Sequence, residues 1–272
     1  MLTTITGLIA VALYAGSAWL QGRRLLSPAI LLQEVTTNRL VLLLAAAALA
    51  AHLANAFGVI STSQGYDFGF FRVASLFSWV MALIITLSSL RKPLANLFLA
   101  LFPIAIVSIL CSSFLPSHYD PNPALSGGVA LHSALGILAF SLLTIAALQA
   151  LLVAWLSREL KHHHFSTALR HLPPLQTLEQ LLFEIIQAGF IALLAVIVSG
   201  FLFMENMFAQ HLAHKTVLTL VSWLVFGILL WGRHRRGWRG KLALRWILGG
   251  FLVLILAYFG SKFVLELVLD RV

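Results

Sequence analysis

Long apolar runs broken by short polar connectors dominate the chain. A membrane-spanning helix needs about 20 consecutive, mostly apolar residues. Eight stretches qualify, at approximately Thr3–Leu20, Arg39–Ile60, Phe70–Leu90, Leu94–Leu115, Val129–Leu156, Leu181–Phe203, Lys215–Trp231 and Leu244–Leu267. The runs are too long, and alternate too little, for the strands of a membrane barrel. The pattern predicts an all-α polytopic membrane protein with eight transmembrane helices, forming a single domain over residues 1–272. The double proline at 173–174 closes the largest connector, Ser157–Pro174, and precedes a new helix.

Composition sharpens this. Of 272 residues, 60% are hydrophobic and only 10% charged. The mean hydropathy is +0.96. A soluble domain carries roughly 25% charged residues, so lipid is the solvent that suits this surface. The one cysteine, Cys111, excludes an internal disulfide. Met1 to Leu20 has no basic leading region, and Arg23 and Arg24 follow the apolar stretch, so the first span is expected to be retained.

The net charge of +9 is spread through short loops, which favours an orientation signal over nucleic-acid binding. Connectors reached after an odd number of spans hold 14 of the 18 Lys and Arg residues, and the opposite side holds Arg72, Lys215, Lys262 and Arg271. The basic side is cytoplasmic by the positive-inside rule. Both termini are then expected on the outer side of the membrane.

Ionisable groups inside a membrane are costly and often functional. His52 lies in span two, eight residues from Ile60. At 1.5 Å per residue that is about 12 Å below the surface. A metal, a haem iron or a hydrogen-bonding neighbour helix would each satisfy its ring. His132 opens span five just after the glycine pair 127–128. It suits a ligand projecting from a helix end, or an interfacial residue facing water. His211 and His214 are three apart before span seven, with Phe203, Met204, Met207 and Phe208 nearby. Helical spacing would put both rings on one face, as a ligand pair or as a solvated helix end.

Other polar groups have plainer readings. The run His162, His163 and His164 sits between Lys161 and Arg170 in a solvated loop. RHRRGWRGK, from Arg233 to Lys241, reads as a topology signal and an anionic-lipid contact, with Trp238 as interfacial anchor. Gln149, Glu184 and Gln187 suit helix–helix hydrogen bonding. Lys262 and Glu266 have the spacing of an intrahelical pair. No phosphate loop, dinucleotide fingerprint, zinc-protease motif or nucleophile elbow is present. The expectation is a protein that is not an enzyme.

Three segments carry a family resemblance. LHSALGILAFSLLTIAALQALLVAWL begins at Leu131, LPPLQTLEQLLFEIIQAGFIALLAVIVSGFLF at Leu172, and HKTVLTLVSWLVFGILLWGRHRRGWRGKLALRWILGGFLVLILAYFGSKFVLEL at His214. Together they resemble the cytochrome c assembly family of membrane haem handlers (CcsA/CcmC-like), and most closely its HemX/YpjD-like branch. The resemblance implies a bacterial inner-membrane protein, its outer side periplasmic, with a haem held non-covalently near the outer leaflet. It implies His132 as the outer-face ligand, with His52, His211 and His214 as further candidates to share the iron. It also departs from the family in places. MENMFAQHLAHKT, from Met204 to Thr216, replaces the tryptophan-rich haem platform. Trp231 stands where relatives often carry a histidine, and AYFGSKF, from Ala257, lacks the histidine of the final helix. An accessory membrane subunit with a decayed haem site, acting through another inner-membrane protein, is therefore the alternative. A transporter of a metal or small molecule is third. Expected surroundings are membrane lipids and no nucleic acid.

Reporter fusions test the charge argument. Alkaline phosphatase fused at either terminus is expected to be active, and fused after Lys92 to be inactive. The reverse pattern would invert the assigned sides.

Overall fold

The computed structural model describes residues 2–26, 34–117, 119, 121, 126–162, 172–203, 213–260 and 263, with only the backbone course for 34–37. Among them are eight helices long and apolar enough to cross a membrane. They are α1 (Leu2–Leu26), α2 (Glu34–Ile60), α3 (Phe70–Ser89), α4 (Phe98–Phe114), α5 (Gly127–Lys161), α6 (Leu175–Phe203), α7 (Ala213–Arg236) and α8 (Gly240–Ile255). A 3-10 turn, Ala95–Leu97, leads into α4, and a π-helical turn, Leu256–Gly260, continues α8. Helices are what hydrocarbon permits, because each backbone N–H and C=O is satisfied within its own segment. Large apolar side chains such as Leu43, Phe57, Ile191, Phe201 and Leu224 stay exposed on their outer faces, where lipid would cover them.

The helices gather into two compact units, α1–α4 and α5–α8. In the first, α1 packs on α2 and α4, and α3 packs on α2 and α4, closing a ring of four. Its centre holds Tyr14, Phe98 and Phe102, all fully buried. Phe98 and Phe102 stack with ring centroids 4.4 Å apart. In the second unit α5 packs on α6 and α8, and α7 packs on α6 and α8, so the same neighbour order recurs. Leu143, Ile186, Leu193, Phe226 and Ile247 fill it. Nothing in the residue pattern signals this recurrence, since what repeats is the order of neighbours.

Several helices run past the apolar spans expected from sequence: α1 continues to Leu26, α2 starts at Glu34 and α7 continues to Arg236, and two further ends, in the second unit, bear on how its helices are tied. Helix α5 runs on to Lys161, five residues beyond the predicted Leu156. Helix α6 starts at Leu175 rather than Leu181. The extra turns carry charge that the apolar criterion rejected. In α6 that charge is neutralised: the Arg239 guanidinium donates to Glu179 Oε2 from Nη2 at 2.6 Å and from Nε at 3.2 Å. Gln149 of α5 donates to the Leu178 carbonyl at 3.2 Å, tying the two helices at this end.

Between α2 and α3 lies a small feature absent from the sequence reading. Ser61–Thr62 and Gly65–Tyr66 pair as a two-stranded antiparallel hairpin, Ser61 opposite Tyr66 and Thr62 opposite Gly65. Asp67 anchors its end. One carboxylate oxygen accepts from the Gly69 N–H at 2.8 Å and the Ser117 hydroxyl at 2.9 Å. The other pairs with Arg72. In the second unit, Gly237 (φ +64°) ends α7 in a left-handed conformation. Trp238 then folds back over Gly232, where a Cβ would collide with the indole.

Asp67→Ala is expected to lower stability by about 3 kcal/mol, because it strands the Arg72 charge and frees two donors. Lys241→Ala, at an exposed position, is expected to change it by less than about 0.5 kcal/mol. Denaturant unfolding in mixed micelles reads both, and equal effects would remove the anchoring role of Asp67.

Candidate functional site

His52 lies in the first unit. It is fully buried, as is Tyr14, and Ser75 is nearly so. The Tyr14 hydroxyl lies 3.3 Å from Nδ1 and the Ser75 hydroxyl 3.0 Å from Nε2. The Tyr14 and His52 rings meet edge to face, with centroids 5.8 Å apart. A neutral imidazole has one donor and one acceptor, and both are engaged here. In this arrangement the ring offers no lone pair to a metal. It joins α1, α2 and α3 instead. Further polar contacts extend the same interior. Ser78 donates to the Ser75 carbonyl at 2.8 Å, and its oxygen meets Ser108 of α4 at 2.5 Å. Asn55, one turn beyond His52, donates to the Thr3 carbonyl at 2.8 Å and to Ser113 at 3.2 Å.

His132 lies in the second unit, in the second turn of α5, and is half-buried. Its Nδ1 is 3.0 Å from the Ser199 hydroxyl, near the end of α6. Ser199 is buried and donates to the Val196 carbonyl at 3.0 Å. That carbonyl also faces the His132 ring as an acceptor. Either atom can supply the proton of the Nδ1–Ser199 contact, according to the tautomer of the ring. No side chain among the described residues hydrogen-bonds Nε2, which leaves that nitrogen open to a ligand.

Aromatic rings flank this imidazole along α5. Gly128, His132, Gly136 and Phe140 recur every fourth residue, so they share one helix face. A Cβ on Gly128 would meet the Phe203 ring at 2.6 Å, and one on Gly136 would meet the Tyr258 hydroxyl at 2.9 Å. The two glycines admit rings that a larger residue would push away. Phe140 packs against Phe251, Tyr258 and Phe259, with centroids 5.3 to 5.8 Å apart. Tyr258 and Phe259 lie in the π-helical turn, a distortion often found at functional sites. A haem needs an imidazole lone pair and apolar, planar walls. The donor chemistry of the His132 neighbourhood fits that need, and the doubly bonded His52 does not.

The remaining candidates separate. His214 is exposed in the first turn of α7, with no hydrogen bond to His132 among the described residues. His211, Met204, Met207, Phe208, His163, His164, Arg170, Lys262 and Glu266 lie outside the described residues. Glu184 accepts from Gln180 at 3.2 Å, and Gln187 is exposed. Trp231 is exposed, with the Arg236 guanidinium 5.4 Å above its ring. No group of three or more metal-ligating side chains forms among the described residues. Sequence reasoning missed Ser199, Tyr258 and the Tyr14–Ser75 clasp. The available signal was polarity inside an apolar run, as in VIVSGFLF around Ser199.

His52→Leu is expected to destabilise the protein by about 2–4 kcal/mol, since it strands two buried hydroxyls. Adding Tyr14→Phe and Ser75→Ala is expected to restore most of that loss. Denaturant unfolding across the mutant cycle checks this, and strictly additive losses would show that the three groups do not act together.

Known proteins then set this geometry in context. The profile of the family described as cytochrome C assembly protein matches residues 40–269. Inner membrane protein YpjD of Escherichia coli K12 is 29% identical over 259 residues, covering 94% of this chain and 98% of its own. An uncharacterized 28.8 kDa protein of Azospirillum brasilense is 34% identical over 156 residues, covering 55% of this chain and 58% of its own. No solved structure matches. With eight spans and near full-length similarity to an inner membrane protein, the chain is a multi-pass protein of the bacterial inner membrane. The match spans all of α3 to α8 and reaches both His52 and His132, and the chain belongs to the cytochrome c assembly protein family.

Proposed function

We propose that this protein holds haem non-covalently, as a haem-binding or haem-handling member of its family rather than an enzyme. The principal iron ligand is His132. One observation carries the reading: on a helix face lined by Phe203 and Tyr258, the His132 ring is held through Nδ1, and Nε2 has no hydrogen-bond partner among the described residues. The distribution of Lys and Arg supports a site toward the outer leaflet, with both termini on that side. Haem would supply the redox-active iron. The chain would bind the macrocycle, orient it and shield it from water.

A second reading has its own support. His52 is committed at both nitrogens, and the segment from Met204 to Thr216 has no tryptophan. Both facts suit an accessory subunit that kept the fold, lost the haem and acts through another membrane protein.

The visible spectrum of gently purified, haem-replete protein separates the two. Haem binding predicts a Soret band that His132→Ala reduces roughly tenfold or more. Absence of the band, or a band unchanged in His132→Ala, would overturn the haem reading. The accessory reading predicts instead that joint replacement of His52 and His132 leaves a co-purifying membrane partner in place.

A further inference from the structure

We infer that Ser199 is the positioning residue of the His132 site: its hydroxyl oxygen holds Nδ1–H and so selects Nε2 as the ligating nitrogen. The role in haem binding rests on the reading of His132 given above, whereas the choice of tautomer stands independently of it.

The argument starts from what a serine can do inside an apolar helix. Its backbone is already paired, so the hydroxyl donates back to a carbonyl one turn earlier. Ser199 does this to Val196 at 3.0 Å. A hydroxyl has one proton, so only its lone pairs remain for a neighbour. His132 Nδ1 lies 3.0 Å from that oxygen, across from α5 to α6. Two lone pairs facing each other would repel, so the proton of the neutral imidazole sits on Nδ1. Nε2 is then unprotonated before any ligand arrives.

Orientation follows as well. A ring bonded only to its own helix could turn about its side-chain torsions. The bond to Ser199 fixes the ring plane against a second helix, between the Phe203 and Tyr258 contacts at Gly128 and Gly136. For a metal-binding histidine, a hydrogen bond at the other ring nitrogen fixes the tautomer and raises ligand basicity. The Val196 carbonyl is the competing acceptor, and the test must distinguish the two.

The experiment is 15N NMR of histidine-labelled, haem-free protein at a pH above the ordinary histidine range, with the His132 signals assigned from their loss in His132→Ala. The wild type is expected to show a protonated Nδ1 and a bare Nε2. Ser199→Ala is expected to show a mixture with the Nε2–H tautomer, and Ser199→Thr to restore the wild-type pattern. A wild-type ring protonated on Nε2 would overturn the inference. An unchanged tautomer in Ser199→Ala would also overturn it, by assigning the hold to Val196 alone. Haem titration gives the second arm: Ser199→Ala is expected to weaken haem binding about 10–100-fold, with recovery in Ser199→Thr. Wild-type protein that takes up no haem would sink the haem reading, and the NMR arm would still decide the role of Ser199.

Discussion

A backbone polar group in hydrocarbon must find its partner inside the protein, and the rest of this structure follows from that requirement. It turns each apolar run into a helix. It also means that any polar side chain carried into the interior must be met by a neighbouring helix. Hydrogen bonds between helices are worth modest amounts individually, about 0.6 kcal/mol on average in a measured membrane protein. Their geometry still matters, because lipid offers no alternative partner. Apolar packing brings the four helices of each unit together, and a few polar contacts select one arrangement among many.

The two histidines central to the functional argument illustrate this differently. His52 is met on both sides, by Tyr14 of α1 and Ser75 of α3. It resembles a keystone, placed where three helices meet. His132 is met on one side, by Ser199. The same residue type is thereby given two chemical characters, fully buried in one helix and half-buried near the end of another. The difference lies in how many ring nitrogens the surroundings engage.

Much of the fold could be read from residue pattern because lipid enforces a simple rule. Helix α3 begins at Phe70 as expected, α4 ends within one residue of the expected Leu115, and α2 ends at Ile60. The rule fails where a charge has a tertiary partner. Helix α6 reaches back past Glu179 because Arg239, 60 residues away, neutralises it. The hairpin at Ser61–Tyr66 is too short to show alternation. At the candidate site, the sequence pointed to His132 and His52 but could not distinguish them. Tyr14 and Ser199 lie 38 and 67 residues from the histidines they contact. Spacing along one helix carries no information about such pairs.

Hydrogen bonds from Gln149 to the Leu178 carbonyl and between His132 and Ser199 fasten helices α5 and α6 to each other. Along α5 the fasteners are 17 residues apart, about 25 Å of helix. Between them the Leu143 side chain packs against Gly189. A slide of one helix past the other by a single residue's rise would stretch both fasteners together. The hairpin therefore behaves as a ruler with a stop at each end. The imidazole that we assign to iron is itself one of the stops, so anything that gripped or turned that ring would pull on the registration of the helical pair.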